Sequence, residues 1–383
     1  MKFLRTLSTR GLVALLVVVV LLGVGGTAIA IGAGGSGPVP PAKPLAQALH
    51  EGLAAPEAQG VTARIKFTNR LFPSGAIVGQ VGSALMSGAS GRLWSRPDGR
   101  GRLELQSSAG DVQIVWNQKT VTIYDASSNT VYRAKLPASR SGRRDKGSSQ
   151  PLSLMSVQDF LTHAGQHVTL SAAVPSNVAG QKAYTVTASP KDNRGLLDVV
   201  QFAWDASHGV PLRAAIYAKS ASKPVLALEA TKIAYGPVPL SSVDIAPPAG
   251  AHTVQLPTKQ AGARHKQGAK AKESAVAGFP VTAPKTLLGL KRAGVHVVGP
   301  PGSKTALVVY GEGPGAIVAA EHYGADQVAQ LGALPMVSLD GATGHELSTP
   351  LGTILQWRRG DVTYLLAGSV PAATAEAAAN ALR

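Results

Sequence analysis

The chain has 383 residues, a formal net charge of +16 and no cysteine. That length can hold two domains with real cores, and the missing thiols exclude disulfides, thiolate zinc sites and a cysteine nucleophile. Charged residues make up only 15% and aromatics 5%, against 43 glycines and 26 prolines, a balance that suits a loop-rich β protein better than a helical bundle.

The first ten residues carry Lys2, Arg5 and Arg10, and no further charge follows until Lys43. An uncharged run of that length can span a bilayer. Positive charge before it and none just after predicts an inside N-terminus, a single pass through the cell membrane and an extracytoplasmic body. A cleaved signal peptide is the other reading. The densest apolar run, residues 12–22, is short, and Ala28-Ile29-Ala30 resembles a cleavage site. The total uncharged length favours a retained anchor over residues 1–34; with cleavage the body would be secreted. No cysteine follows the apolar run, which excludes a bacterial lipoprotein anchor.

Residues 35–44, "GSGPVPPAKP", form a stiff spacer. "LAQALHEGLAAP" is helical by composition and stops at Pro56. Then strands begin. "VTARIKFT" puts Val61, Ala63, Ile65 and Phe67 on one face, with Thr62, Arg64, Lys66 and Thr68 on the other. "SGRLWS" and "GRLELQS" follow around the turn "RPDG". "DVQIVW", "KTVTIY" and "TVYRAKL" complete a meander whose short connections force antiparallel neighbours. "PLSLMSVQDFLTHAG" reads as a helix. Ser156 is its predicted cap, and Leu152, Met155, Phe160 and Leu161 form its apolar stripe. Four more strands follow, and residues 237–256 close the unit. Residues 257–284 read as a basic linker. A smaller unit over 285–383 contains a hairpin at Gly360-Asp361 and ends in an alanine-rich helix opened by Pro371.

Much of the positive excess sits in "SRSGRRDK" (139–146) and "KQAGARHKQGAKAK" (259–272). These tracts lack the stacking rings that a nucleic-acid reader interleaves with its cations, so no nucleic-acid partner is expected. They read as solvated loops or as contacts to an anionic lipid or wall.

The sequence offers no catalytic constellation. His163 and His167 have a metal-ligand spacing, but Gly165 lies between them and no acid is close. "HE" at His345-Glu346 lacks the second histidine of a zincin. "GASG" around Ser90 is not a nucleophile elbow, and "GEGPG" (311–315) sits between strands rather than opening a helix. No catalytic residue, metal ligand or cofactor is therefore assigned, and the chain is not expected to be an enzyme. The apolar strand positions remain. Strand alternation nominates Ile65, Phe67, Trp94, Leu103, Leu105, Ile114, Trp116, Ile123 and Trp204 as lining residues of an apolar cavity, with Phe160 and Leu161 from the covering helix.

Two stretches carry a resemblance. "FAWDASHGVPLRAAIYAK" (202–219) has a strand ending at Asp205 and the turn Gly209-Val210-Pro211-Leu212-Arg213. "IAYGPVPLSSVDIAPPAGAHTVQL" (233–256) has the closing Pro247-Pro248-Ala249-Gly250. Together with the order of elements, they resemble the bacterial LolA-like lipoprotein-carrier superfamily. The added C-terminal unit is similar to the sigma-factor regulators of the MucB/RseB type. The resemblance covers roughly residues 45–383 and implies an α+β fold. After the N-terminal membrane helix expected over 1–34, it implies a large antiparallel half-barrel sheet over 45–256. Helices cover that sheet, and a smaller α+β domain occupies 285–383. It implies an apolar cavity for acyl chains of a lipid or acylated protein; the membrane tether read from residues 1–34 departs from the freely shuttling carriers of that superfamily. The alternative it implies is an envelope-stress sensor that docks a membrane anti-sigma factor through the C-terminal domain.

Overall fold

The computed structural model describes residues 37–72, 84–136, 153–192, 194–219, 221–256, 277–299, 304–324 and 334–382. The first helix, α1 (Leu45–Ala54), is bounded by Pro44 and Ala55, both in extended conformations. β1 (Val61–Asn69) begins with strict alternation: Val61, Ala63 and Ile65 are buried, and Thr62, Arg64 and Lys66 are exposed. A one-turn helix, α2 (Ala84–Ser87), leads into a meander. Its strands are β2 (Ala89–Ser95), β3 (Gly101–Ser107), β4 (Gly110–Trp116), β5 (Thr120–Asp125) and β6 (Thr130–Lys135). Turns of a few residues make each strand the antiparallel neighbour of the one before it.

α3 (Leu154–Ala164) comes next. Its cap is Ser153, whose side chain accepts the Ser156 backbone N–H, so Ser156 lies inside the helix rather than at its start. The predicted stripe is also displaced. Val157 and Ala164 are buried, whereas Met155 is 70% and Phe160 38% exposed. Leu152 lies outside the described residues. β7 (Val168–Leu170), β8 (Val174–Val178), β9 (Gln181–Pro190), β10 (Leu197–Asp205), β11 (Pro211–Ala218) and β12 (Leu226–Tyr235) follow. The last strand of this part, β13 (His252–Leu256), pairs parallel with β6.

All thirteen belong to one curled sheet, in the order β13-β6-β5-β4-β3-β2-β1-β12-β11-β10-β9-β7, with β8 paired to β9. The central joint is β1 with β12, antiparallel, with an irregularity between Arg64 and Ile65. Residues 236–251 run across the strand ends from β12 to β13. The Arg96 guanidinium donates to the Val238 carbonyl, and Arg100 lies 3.6 Å from the Asp244 carboxylate.

The second sheet has eight strands: β14 (Thr286–Leu287), β15 (Leu290–Val298), β16 (Thr305–Tyr310), β17 (Ile317–Tyr323), β18 (Met336–Leu339), β19 (Ala342–Thr349), β20 (Gly352–Arg359) and β21 (Val362–Gly368). Arg359 pairs with Val362 across Gly360-Asp361, and Gly360 takes a φ of +57°. That is the two-residue turn that the right-handed twist of a hairpin favours. The terminal helix α4 (Ala372–Ala381) lays Ala375, Ala378 and Ala379 flat on one face of this sheet, all fully buried. Small side chains let the helix approach closely over Trp357 and Tyr364, whose rings stack at 5.0 Å.

The expectation of an α+β fold is overturned. Strands take 51% of the described residues, and the longest described helix, α3, has eleven residues. The helices expected over 45–56, near 152–164 and after Pro371 are present, but at ten, eleven and ten residues they are few and short against twenty-one strands among the described residues. The expected membrane segment, 1–34, lies outside the described residues. Among the described residues no helix is long and apolar enough to cross a membrane.

Candidate functional site

The strand register writes one apolar line across the large sheet. Ile233, Ala63, Leu93, Leu103, Ile114, Ile123 and Tyr132 face one another in succession on β12, β1, β2, β3, β4, β5 and β6. The cover over this line is uneven. Ile233 and Ala63 are buried, whereas Leu93, Leu103, Ile114, Ile123 and Tyr132 are only half-buried. Ile65, Leu105 and Val112 form a second, buried row on the same face, against Ala84 of α2. Phe67 extends that face opposite Leu228, which is 42% exposed.

The same sheet is fully covered further along. Over β9–β11, α1 and α3 pack on Tyr184, Val186, Phe202 and Trp204. Phe202 stacks on Trp204 at 6.0 Å, and Leu161 of α3 packs against this group. Gly52 of α1 makes the close approach possible, since a Cβ there would lie 2.9 Å from the Trp204 indole Nε1.

Of the nominated lining residues, Ile65, Phe67, Leu103, Leu105, Ile114 and Ile123 come together in one apolar cluster. Trp204 and Leu161 belong to the separate cluster under α1 and α3. Trp116 lies on the face of Leu103 and Ile114, where its ring occupies the space of a missing side chain: a Cβ on Gly101 would sit 2.1 Å from Cζ2. Trp94 is placed on the opposite face, in register with Thr62 and with the Arg102 guanidinium 5.0 Å above its ring. Leu93, its neighbour, takes the inward position. Two adjacent apolar residues leave alternation undecided, and only the phase inherited from Ala63 would have selected Leu93.

The polar cluster nearest this face has a structural role. Asp205, 2% exposed, accepts from the backbone N–H groups of Ser207 (2.8 Å) and His208 (2.7 Å) and from the Tyr235 hydroxyl (2.9 Å). The His208 ring stacks on Tyr235 at 3.9 Å, with Nδ1 3.2 Å from Asp205 Oδ1. Burial, and the Asp205 carboxylate beside it, push the Tyr235 phenol above its ordinary value. The carboxylate thus spends its acceptors on locking the β10–β11 turn against β12. Tyr235→Phe should cost about 1–2 kcal/mol of stability, read as a lower urea midpoint with an unchanged slope. Among the described residues no group of three or more His, Asp or Glu comes together as a metal site. The ring centroids of His163 and His167 lie 6.2 Å apart, edge to face.

Two buried acids escaped the sequence reading. Glu321 and Glu346 lie on the α4 side of the second sheet, 0% and 9% exposed. Their signal was parity. Glu321 is in phase with Ile317 and Ala319 along β17, so it must face inward with them.

No protein-family model matches the chain, and no curated protein matches it in sequence. Solved structures do match. MucB in complex with MucA(peri) is 14% identical, with a TM-score of 0.43, over 88% of this chain and 96% of that one. The Pseudomonas aeruginosa MucA/MucB complex is 13% identical, with a TM-score of 0.41, over 88% and 94%. A LolA superfamily protein from Nitrosomonas europaea is 9% identical, with a TM-score of 0.22, over 53% of this chain and 99% of that one. The structure is similar to MucB and to LolA superfamily proteins, as the two sequence stretches led one to expect.

Proposed function

We propose that this protein binds acyl chains, of a lipid or of an acylated protein, on the apolar face of β2–β6. The observation that carries this reading is the loss of cover along one line of side chains. Ala63 is buried, whereas Leu93, Leu103, Ile114, Ile123 and Tyr132 remain half-buried on the same face. Apolar area left facing water along this row costs free energy, which supports its use as a binding surface. Each methylene moved onto it from water contributes about 0.8 kcal/mol. The face needs no reactive group to hold such a ligand, which fits a carrier or sensor rather than an enzyme.

The test is a titration of the full chain with a fluorescent fatty acid. Ile123→Asp should weaken binding about tenfold or more while circular dichroism and melting stay close to wild type, since Ile123 is only half-buried. Unchanged affinity in a folded variant would remove this reading.

A second reading rests on a different surface. On the face of the second sheet away from α4, Leu347, Ile354, Ala367, Val318 and Val309 align across β19, β20, β21, β17 and β16. Ile354 is 37% exposed, and Met336 at the sheet edge 74%. This apolar row supports docking of a membrane-bound regulatory protein, of the anti-sigma kind, by a sensor that reads lipid elsewhere. Ile354→Glu separates the two readings. It should abolish capture of such a partner and leave fatty-acid affinity unchanged; lost acyl binding with intact capture would reverse the assignment of the surfaces.

A further inference from the structure

The reverse face of the same strands carries a different signal. The register aligns Lys232 of β12 with Arg64 of β1, and Arg64 with Arg92 of β2. Lys66, two residues along β1 from Arg64, adds a fourth cation to the same face. All four side chains are exposed, and none makes an ion pair with a described residue.

Like charges directly opposite on neighbouring strands sit about 5 Å apart at Cβ and destabilise a sheet. Elsewhere this face neutralises some of its cations, while Arg133 and Lys135 of β6 make no ion pair with a described residue. Arg102 pairs with Glu104 on β3, and Arg213 of β11 pairs with Glu229 of β12. Glu104 lies opposite Arg92 and Glu229 opposite Lys66, yet each carboxylate is engaged by an arginine other than these. The row Lys232-Arg64-Arg92 thus sets three unpaired cations directly opposite one another on adjacent strands. An anionic partner would relieve their repulsion.

We propose that this face of β12, β1 and β2 is an electrostatic contact for a layer of anionic phospholipid headgroups. The cations project from an open sheet surface on three adjacent strands, so they meet a planar partner together. A line of phosphates in a groove would need walls, and stacked bases would need free rings. The neighbouring indole, Trp94, is already covered by Arg102. The acyl-binding face proposed above lies on the other side of the same strands, so this inference stands independently of it.

The test uses the full-length chain and vesicles of phosphatidylcholine, with or without phosphatidylglycerol. The readout is the ratio of partition coefficients on the two vesicle types, which cancels any uncharged contribution to binding. The double variant Arg64→Ser, Arg92→Ser should lower this ratio about fivefold per charge removed, and the ratio should fall with added salt. Lys285→Ser, Lys291→Ser removes the same net charge from the second sheet and should leave the ratio unchanged. The Arg64/Arg92 variant should also melt no lower than wild type at low salt, because it relieves repulsion. An equal fall in both double variants would reduce the effect to net charge and overturn the proposal. So would an unchanged ratio accompanied by lost binding to polyglutamate, which would assign the face to an acidic polypeptide.

Discussion

Glu321→Gln should stabilise the protein by roughly 3 kcal/mol at pH 8 and leave it nearly unchanged at pH 4. Glu321 is fully buried on β17. Its Oε2 accepts the Thr282 backbone N–H at 2.7 Å, while Oε1 has no hydrogen-bond partner among the described residues. Burial pushes its carboxyl up to about 7, outweighing the Thr282 hydrogen bond, which acts in the opposite direction. The folded protein therefore holds this proton more tightly than the unfolded chain does. The resulting stabilisation is fully present below the ordinary glutamate value, about 4.3, and is lost as pH rises through about 7. A glutamine keeps the acceptor for Thr282 and never ionises. Glu346 shifts in the same direction, through burial and through Glu376 beside it, so some pH dependence should remain in the variant. Urea unfolding at a series of pH values is the measurement. Parallel stability curves for variant and wild type between pH 4 and 8 would show that Glu321 is not the titrating group.

Gly209→Ala should cost about 3–5 kcal/mol, a large share of the roughly 5–15 kcal/mol that holds an ordinary domain folded. Gly209 has a φ of +64°, which costs an L-residue about 1–2 kcal/mol by itself. A Cβ there would also lie 1.9 Å from the Gly52 carbonyl oxygen, which is backbone and cannot rotate away. α1 would have to lift, and with it the cover over Trp204 and Phe202. Gly180→Ala is the matched control. It has a φ of +81° but nothing within 4 Å of its Cβ position, so only the backbone cost of about 1–2 kcal/mol should appear. Equal losses in the two variants, measured by thermal unfolding, would mean that contact with α1 contributes nothing.

The hairpins were legible because their signals are local. Alternation in "VTARIKFT" and the turn at Gly360-Asp361 each involve residues close in sequence. The turn from Asp205 to Gly209 was legible as a motif, and the structure supplies its reason: a buried carboxylate that caps the turn and a glycine that admits α1. The helices over 45–54, 154–164 and 372–381 were each legible, but they are short, so the strands set the fold class. Trp94 was set on the apolar face because Leu93 and Trp94 are adjacent and both fit the pattern; their cross-strand partners, Ala63 and Thr62, decide between them. The line of half-covered apolar side chains was partly visible in the sequence. Its uneven cover was not, because it depends on which elements pack on the folded sheet: Ala84 of α2 on Ile65, Leu105 and Val112, and α1 and α3 on Phe202 and Trp204. The row Lys232-Arg64-Arg92 could not be read at all, since it exists only once distant strands are in register.

The joint between β1 and β12 sets the order in which this sheet can be made. Val61 pairs with Tyr235, so the first strand synthesised waits for one of the last to satisfy its second edge. Until β12 emerges, the meander from β1 to β6 exists with an open backbone edge at its oldest strand. β13 then has to find β6 across a comparably long separation, in parallel orientation. Such distant pairings put the chain among slow folders, because closure entropy is spent before contacts reward it. A nascent chain stalled before residue 226 should therefore be sticky and dependent on a holding chaperone, even though most of its hairpins are already complete.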